Sequence, residues 1–429
     1  MKKTKEIQEK KLNARLYPIY KMISWDLLFY YSIIYLFLAQ VKEFSASQIL
    51  LGEAFFTVSC LILQIPIGLF VDKFGKKNSL VLANLCMCIF SALLIFTQSY
   101  TQLLISFFVD AIGYVIKSVC ETNILYDSLP IGKKRGTLYS TIDGLGASRY
   151  YIIDAITSLI AGFAYVINPY IPIFLCLMGN IISTILATRF NHTNTGEKEV
   201  HIGVKKYFKE LKEAGKFAKK STRMMCLLIF FGLISGLIYN MTTFRSGVLE
   251  QIDLPEQYFG IIFAISQFAA ALCSKTQVAL NKRLKNKTLA YLGIPFTVSC
   301  IIIGVLANKN TKFIKVFLII ALFVMQGAIK VAYNVFIYRY LNNFTNKKIR
   351  IKLATVRNMV YNFFTICISL FGALLLQFTS SSETILMIGC VSTIIIILLL
   401  DFMRGKVGLK PEKYSKEDLK YSTLVTKKQ

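Results

Sequence analysis

The sequence has few carboxylates and little charge of either sign. Only 17% of its 429 residues are charged, and 50 Lys and Arg outnumber 23 Asp and Glu. It has one tryptophan and two histidines, and no metal-ligand spacing, Walker sequence, nucleophile elbow or glycine-rich nucleotide fingerprint occurs in it. These absences disfavour an ATP-driven pump and an enzyme. The sequence therefore predicts no cofactor and no bound metal.

Cysteine is present, but without a disulfide pattern. All ten cysteines fall in apolar runs, and none is placed to pair across an external loop. We interpret them as small core residues.

Apolar residues are abundant, at 55% of the chain. They form twelve runs of about 19 to 29 residues, which suffice to cross a ~30 Å hydrocarbon core at ~1.5 Å per residue. The predicted spans are 17–40, 47–70, 78–97, 102–126, 138–166, 170–190, 224–244, 257–279, 289–307, 314–340, 351–378 and 383–401. The fold class is therefore predicted to be an all-α polytopic membrane protein with twelve transmembrane helices.

The positive charge is distributed unevenly. If residue 1 is cytoplasmic and the spans alternate, 39 of the 50 lysines and arginines fall on the cytoplasmic side and five fall outside. This asymmetry follows the positive-inside rule and predicts a plasma-membrane protein with both termini in the cytoplasm. We interpret the net charge of +27 as a signature of topology rather than of nucleic-acid binding. The polar, basic segment 1–16 lacks the features of a cleaved signal peptide.

One long hydrophilic connection divides the chain. The predicted segments are a cytoplasmic N-terminal segment 1–16, an N-terminal six-helix bundle 17–190, a central cytoplasmic loop 191–223, a C-terminal six-helix bundle 224–401 and a cytoplasmic tail 402–429. The central loop has an amphipathic helical pattern, which favours either an interfacial helix or a solvated linker. A short repeat supports the division, because "DKFGKKNSL" at 72–80 aligns with "NKRLKNKTL" at 281–289.

The stretch "GLFVDKFGKKN" at 68–78 separates two apolar runs with a dense set of glycines and charges. Its defined positions are Gly68, Asp72, Lys73, Gly75, Lys76 and Lys77. This pattern resembles the loop 2–3 signature of the major facilitator superfamily, G-x-x-x-D-[RK]-x-G-[RK]-[RK], and matches it at every defined position. The resemblance implies two six-helix bundles that work by alternating access.

The residue types of this motif suit a tight cytoplasmic turn. Gly68 would allow close approach of another helix, and Gly75 would allow the turn itself. Asp72 could face the positive end of a helix. In the family this partner is helix 11, so the resemblance implies that Asp72 acts as a latch of the outward-open state. The lysines are expected to contact the anionic inner leaflet.

A second resemblance lies at the end of helix 4, where "NILYDSL" at 123–129 is similar to a sequence in some bacterial members of the superfamily. Two features of proton-coupled members and exporters are missing. The helix 4 arginine is absent from "VDAIG" at 109–113, and helix 5 has the glycines of the exporter pattern without its proline. Proton-driven export therefore stays open at this point.

Ionisable residues inside the spans cost about 2.5–3.5 kcal/mol each at a helix centre on insertion scales, so they mark candidate sites. Asp26 lies near the middle of helix 1, with Tyr30 one turn away as a predicted hydrogen-bond partner. One face of helix 4 carries Asp110, Tyr114, Lys117 and Glu121. Lys117 and Glu121 are spaced to pair directly. The stripe fits either an aqueous path or a purely structural chain of ion pairs.

The remaining intramembrane charges differ between the halves. On helix 5, Asp143 and Asp154 share a face with Tyr150, whereas the second-half spans carry bases and no carboxylate except at the two edges of the last span, Glu383 and Asp401. Acids and bases could pair across a cavity, or the bases could receive an anionic substrate group. The predicted substrate or proton pathway comprises Asp26, Asp110, Lys117, Arg149, Asp154, Lys330 and Arg357.

The favoured function is a secondary active transporter that couples the proton gradient to export of an amphipathic small molecule, because a buried carboxyl group can exchange a proton. Uptake of a small polar or anionic solute is an alternative, motivated by the intramembrane lysines and arginines. A transport-inactive membrane sensor or scaffold is a third. The expected partners are a small-molecule substrate, protons and a lipid bilayer with an anionic inner leaflet. Nucleic acid is not expected, and the protein is predicted to be a monomer.

Overall fold

A computed structural model of the chain describes residues 2–130, 135–191, 216, 222–284, 287–307, 313–343 and 347–406. The first helices are α1 (Lys2–Ser24), α2 (Ile34–Leu36) with a π-helical turn (Phe37–Val41), α3 (Ala46–Phe74), α4 (Lys76–Phe96), α5 (Tyr100–Ser128), α6 (Arg135–Ile167) and α7 (Tyr170–Thr188). The later helices are α8 (Thr222–Gln251), α9 (Gln257–Leu284), α10 (Lys287–Leu306), α11 (Phe313–Asn343), α12 (Lys347–Leu375) and α13 (Ser381–Lys406).

The prediction of an all-α polytopic membrane protein is confirmed. Within the described residues, ten helices carry an apolar segment long enough to cross a bilayer, and each coincides with a predicted span. The eighth predicted span corresponds to α9, whose apolar part in the described residues is Gln257–Ala270. The first predicted span, 17–40, differs from the prediction.

This first span is not one continuous helix. Helix α1 ends at Ser24, residues 25–33 form turns, and helical structure resumes at Ile34. Within the turns Phe29 has a φ of 62°, a left-handed conformation that aromatic residues rarely adopt. Asp26 explains the interruption, because a short carboxylate side chain competes with helical carbonyls for nearby backbone N–H groups.

Local sequence signals set the boundaries of several helices. Ser45 with Gln48 and Ser99 with Gln102 form capping boxes at the starts of α3 and α5. Gly75 alone separates α3 from α4, and its φ of 83° is a conformation that favours glycine. The turn between the second and third predicted spans is therefore a single residue, consistent with the role predicted for Gly75.

The chain divides into two compact units. The first comprises Met1–His201 and Leu254–Phe268, and the second comprises Ile202–Asp253 and Ala269–Gln429. In the first unit α4 packs against α5 and α7, α3 packs against α5, and α1 packs against α6. The start of α9 belongs to this unit and crosses α6 at two glycines. A Cβ on Gly162 would lie 2.9 Å from the carbonyl oxygen of Gln257 and 3.0 Å from the Cα of Gly260.

The second unit is built on two helix pairs, α8 with α12 and α10 with α13. Buried polar contacts join its helices. Ser369 of α12 donates to Asn240 of α8 at 2.6 Å, and Gln326 of α11 donates to Ser299 of α10 at 2.7 Å. Such contacts hold transmembrane helices together where lipid removes the hydrophobic drive for association. The amphipathic helix predicted in the central loop lies outside the described residues. The same holds for residues 192–215 and 217–221 of that loop and for the tail from 407 to 429.

Candidate functional site

Asp26 occupies the break in the first span. Its carboxylate accepts hydrogen bonds from the backbone N–H of Leu27 at 2.9 Å and from the hydroxyl of Tyr31 at 2.7 Å. The predicted partner Tyr30 is instead buried against Phe90, with ring centroids 5.7 Å apart, because the backbone is not helical here and the one-turn spacing no longer applies. Non-helical backbone at membrane depth is tolerated where it is enclosed by protein or lines a cavity, and in transporters such breaks carry ligand sites.

The predicted stripe on α5 is largely buried. Asp110, Lys117 and Glu121 are 9%, 6% and 7% exposed, whereas Tyr114 is 46% exposed and so faces outward from the packed helices. The direct Lys117–Glu121 ion pair that the spacing predicted is not formed, since within the described residues no ion pair of 4.0 Å or less includes either side chain. Asp26 and Lys117 both lie within electrostatic range of Asp110.

Several predicted carboxylates of the first unit converge on one pair of tyrosines. The hydroxyl of Tyr31 bonds Asp26 and lies in electrostatic range of Asp110, and Tyr150 lies in range of both Asp26 and Asp154. The structure thus brings together the candidates of helices α1, α5 and α6. It does not bring in Arg149, whose side chain is exposed.

Asp154 joins α6 to the start of α9. It is 2% exposed, and the side-chain amide of Gln267 donates a hydrogen bond to its carboxylate. This contact lies two helical turns along α6 from the glycine crossing at Gly162 and Gly260. The uncharged amide of Gln267 therefore contributes a hydrogen bond to Asp154, a residue of the predicted substrate or proton pathway.

A second polar cluster was missed by sequence reasoning. Lys21 is only 5% exposed and forms an ion pair with Asp143 of α6. The hydroxyl of Tyr17 donates to the same carboxylate at 2.8 Å. One turn further along α1, Ser24 donates to Glu121 of α5 at 3.2 Å. The one available signal was the helical spacing of Tyr17, Lys21 and Ser24, which puts them near one face of α1.

Close packing of α1 on α6 positions Lys21. A Cβ on Gly146 would lie 3.0 Å from the Cδ of Lys21, so a larger residue here would require the lysine stem to shift by a few tenths of an ångström. The ammonium lies 4.6 Å from the centre of the Trp25 ring system, a cation–π contact. Trp25 in turn makes edge contacts with Tyr150 and Tyr151 of α6, at 5.1 and 5.3 Å between centroids.

The candidate side chains Lys330 and Arg357 of the second unit are more exposed than Asp110, Lys117 and Asp154 of the first. Lys330 is exposed, and Arg357 is partly buried and donates to the side-chain oxygen of its neighbour Asn358 at 2.8 and 3.2 Å. The side chains of Lys275 and Arg339 lie outside the described part of the structure. Within the described residues, no group of three or more His, Cys, Asp or Glu side chains could hold a metal ion.

The motif at residues 68–77 joins the motif at the end of α5. Lys76 pairs with Asp127 of "NILYDSL" at 2.8 Å, and Arg135 approaches the other oxygen of that carboxylate at 3.9 Å. Arg135 also lies 3.9 Å from the centre of the Tyr126 ring. Three helices, α4, α5 and α6, are therefore tied at one carboxylate.

The other positions of the motif are less constrained in this structure. Lys73 is exposed and Lys77 is partly buried. No described atom lies within 4 Å of a Cβ built on Gly68, so the close helix approach predicted for this glycine is not seen among the described residues. The side chain of Asp72 lies outside the described part.

Comparisons with known proteins agree with this architecture. The chain is 24% identical over 258 residues to the uncharacterized MFS-type transporter YxaM of Bacillus subtilis (strain 168), a match that covers 58% of the chain and 62% of that relative. The crystal structure of a mutant of the nucleoside transporter NupG superposes with a TM-score of 0.76 at 14% identity, over 92% of this chain and 99% of the other. A POT family transporter in complex with a thioalcohol-conjugated peptide gives a TM-score of 0.64 at 14% identity, over 93% and 95% of the chains.

At these identities the solved structures establish the fold alone. The family is established by a sequence model described as the Major Facilitator Superfamily, which matches residues 21–314. That range includes the broken first span, the buried stripe of α5 and the motif at residues 68–77. The chain belongs to the Major Facilitator Superfamily of membrane transporters.

Proposed function

We propose that this transporter couples proton movement to export of an amphipathic small molecule. The observation that carries the proposal is the position of Asp26 in the unwound part of the first span, at membrane depth and within reach of two other helices. Broken helices of this kind bind substrates and coupling ions in secondary transporters. A carboxyl group at such a break is the kind of group that can carry a coupling proton.

The hydrogen-bond partners of Asp26 support a role in proton coupling more than a purely structural role. Its two donors are neutral, the N–H of Leu27 and the hydroxyl of Tyr31. Within the described residues no ion pair of 4.0 Å or less fixes its charge. A protonated Asp26 would also keep both groups as hydrogen-bond neighbours, since a carboxylic acid retains acceptor capacity. Both charge states therefore suit the site, as a proton-coupling carboxyl requires.

The aromatic groups beside Asp26 support an amphipathic substrate. Trp25 and Tyr151 are partly exposed and lie against the buried Tyr150. Aromatic rings next to a carboxylate offer both apolar area and a polar anchor, which is the composition of small-molecule sites. The substrate proposal rests on these residues and not on the ligands named for the solved structures, because those proteins are only 14% identical to this chain.

A second candidate function is uptake of a small polar or anionic solute. Lys117 favours it, since this buried ammonium has no ion pair of 4.0 Å or less within the described residues. Arg357, Lys330 and Arg149 would be further anion partners. In either function we propose a monomer in the plasma membrane with both termini in the cytoplasm and its basic loops at the anionic inner leaflet.

The test replaces Asp26 with asparagine in the full-length protein reconstituted in proteoliposomes. A substrate is first identified by thermal stabilisation across a library of amphipathic cations, neutral compounds and anions. We expect Asp26→Asn to abolish accumulation driven by a pH gradient and to leave downhill exchange measurable, because only coupling needs the exchangeable proton. The exposed Glu43 provides a control, and Glu43→Gln should transport as the wild type does.

Two outcomes would contradict this assignment. Gradient-driven accumulation that persists in Asp26→Asn would exclude Asp26 as the coupling group. Loss of substrate stabilisation in this variant would instead assign Asp26 to substrate recognition. An anionic substrate that stabilises the wild type but not Lys117→Met would favour the second candidate function.

A further inference from the structure

Lys21 lies between two carboxylates contributed by different helices. It is paired with Asp143 of α6, which also accepts a hydrogen bond from Tyr17 at 2.8 Å. Lys21 also lies within electrostatic range of Glu121 of α5. The ammonium is buried, with its side chain 7% exposed, while Asp143 is 28% exposed. The Lys21 ammonium therefore interacts with two carboxylates, the partly exposed Asp143 and the buried Glu121.

Glu121 is held much less firmly than Asp143. It is 7% exposed, and the structure gives it one direct hydrogen bond, from Ser24 at 3.2 Å. It also lies in electrostatic range of two ammonium groups, Lys117 of its own helix and Lys21 of α1. Its charge state therefore depends on the position of the Lys21 ammonium.

The charged groups around Glu121 form a small balanced set. They are Lys21 of α1, Lys117 of its own helix and Asp143 of α6. With Glu121 ionised, two carboxylates face two ammonium groups, and with Glu121 protonated one positive charge is left over. The other titratable groups near it are Tyr17 and Tyr20 of α1 and Cys120 of α5, with Lys76 of α4 in range of Cys120 and Cys60 of α3 in range of Asp110.

We propose that Glu121 is a proton-binding site of the transport cycle, and that loss of its proton draws the Lys21 ammonium from Asp143 toward Glu121. The proton leaves the carboxyl group of Glu121 for water, Lys21 stays protonated throughout, and no covalent bond other than O–H changes. The proposal rests on the proposed proton-coupled function and adds to it a second site, one that couples α1 to different helices in its two states.

The packing around Lys21 gives this exchange a mechanical consequence. With Lys21 on Asp143, its stem lies on the surface of α6 at Gly146, where an added Cβ would lie 3.0 Å from the lysine Cδ. An ammonium drawn to Glu121 ties α1 to α5 instead. Ionisation of Glu121 would therefore loosen α1 from α6, the helix that carries Asp154.

The chain contains its own reporter of this movement. Trp25 is the one tryptophan in the sequence, and the Lys21 ammonium lies 4.6 Å from the centre of its ring system. Because a cation over an indole perturbs its excited state, the emission of Trp25 should respond when Lys21 moves. No label is needed.

The experiment is a pH titration of tryptophan fluorescence on the full-length protein in lipid nanodiscs, without substrate. We expect one reversible transition in the wild type and its complete loss in Glu121→Gln. A matched control is Glu53→Gln, which removes another carboxyl from the span region and should keep the transition. A transition that survives in Glu121→Gln, or that Asp143→Asn removes while Glu121→Gln does not, would overturn the proposal.

A milder variant guards against misfolding of Glu121→Gln. Ser24→Ala removes the hydrogen bond that stabilises the ionised Glu121, so the midpoint of the transition should move to higher pH. An unchanged midpoint, or one moved to lower pH, would contradict the assignment. This titration involves neither substrate nor gradient. A transition that requires Glu121 in a protein without proton-coupled transport would therefore overturn the proposed function and leave the proton site standing.

Discussion

At the scale of single residues, three charged side chains of the first unit have short polar contacts or an aromatic partner. Asp26 uses a backbone N–H and a tyrosine hydroxyl, Asp154 uses a glutamine amide, and Lys21 uses Asp143 and an indole ring. Such contacts offset the insertion cost of about 2.5–3.5 kcal/mol per charge. The two donors to Asp26 are neutral groups, whereas Lys21 and Asp143 form an ion pair.

Asp127 provides the residue-scale prediction. It is 10% exposed at its side chain and pairs with Lys76 at 2.8 Å, while Arg135 lies 3.9 Å away. We expect Asp127→Asn to lower the free energy of unfolding by about 1.5–3 kcal/mol, the range for a hydrogen bond to a charged group. Thermal unfolding in detergent would measure this. Asp253→Asn is the control, because Asp253 is exposed and asparagine tolerates its φ of 53°.

A double-mutant cycle gives the sharper form of this test. If Lys76 and Asp127 interact as the structure indicates, Lys76→Met should cost much less in the Asp127→Asn background than in the wild type. Strictly additive effects of the two substitutions would contradict the pairing.

At the scale of helices, two features shape the first unit: the break in the first span and the crossing of α6 with α9. The sequence could not predict the break, because Asp26 and Lys21 are the only charged residues in 17–40 and charged residues in α5 and α6 leave those helices intact. The burial of Lys21 could not be predicted either, because it depends on the packing against Gly146 and on the ion pair with Asp143. The ten spans that coincide with predictions include those of α5 and α6, which stay helical although they carry charged residues.

The crossing of α6 and α9 gives the element-scale prediction. Backbones touch at Gly162 and Gly260, and an added Cβ on Gly162 would lie 2.9 Å from the carbonyl oxygen of Gln257. We expect Gly162→Ala to destabilise the protein by about 1–3 kcal/mol through overpacking. Gly179→Ala in α7 is the matched control, since no described atom lies within 4 Å of its added Cβ and alanine favours a helix.

Thermal unfolding of both glycine variants in the same detergent measures the difference. A Gly162→Ala protein as stable as the wild type would show that the two helices do not approach closely in solution. A destabilised Gly179→Ala protein would show that any glycine replacement is harmful and that the crossing is not special.

At the scale of the whole molecule, sequence and structure agree on a polytopic helical transporter of the Major Facilitator Superfamily. The spans and the motif at residues 68–77 could be predicted because length, hydropathy and a fixed spacing encode them. Helical periodicity placed Asp110, Lys117 and Glu121 on one face of α5, and the roles of the candidate site residues stay a prediction. The partners of Asp26 and Lys21 could not be predicted, because they depend on the interrupted backbone and on contacts between distant helices.

The central claim is that solute and proton movements are coupled in this chain. The most direct measurement uses purified protein in proteoliposomes that contain a pH-sensitive dye, with no initial pH gradient and an imposed gradient of a radiolabelled substrate. The account predicts a change of internal pH that accompanies substrate flux, with the proton moving opposite to the substrate. Substrate flux with no change of internal pH would contradict the proposed coupling.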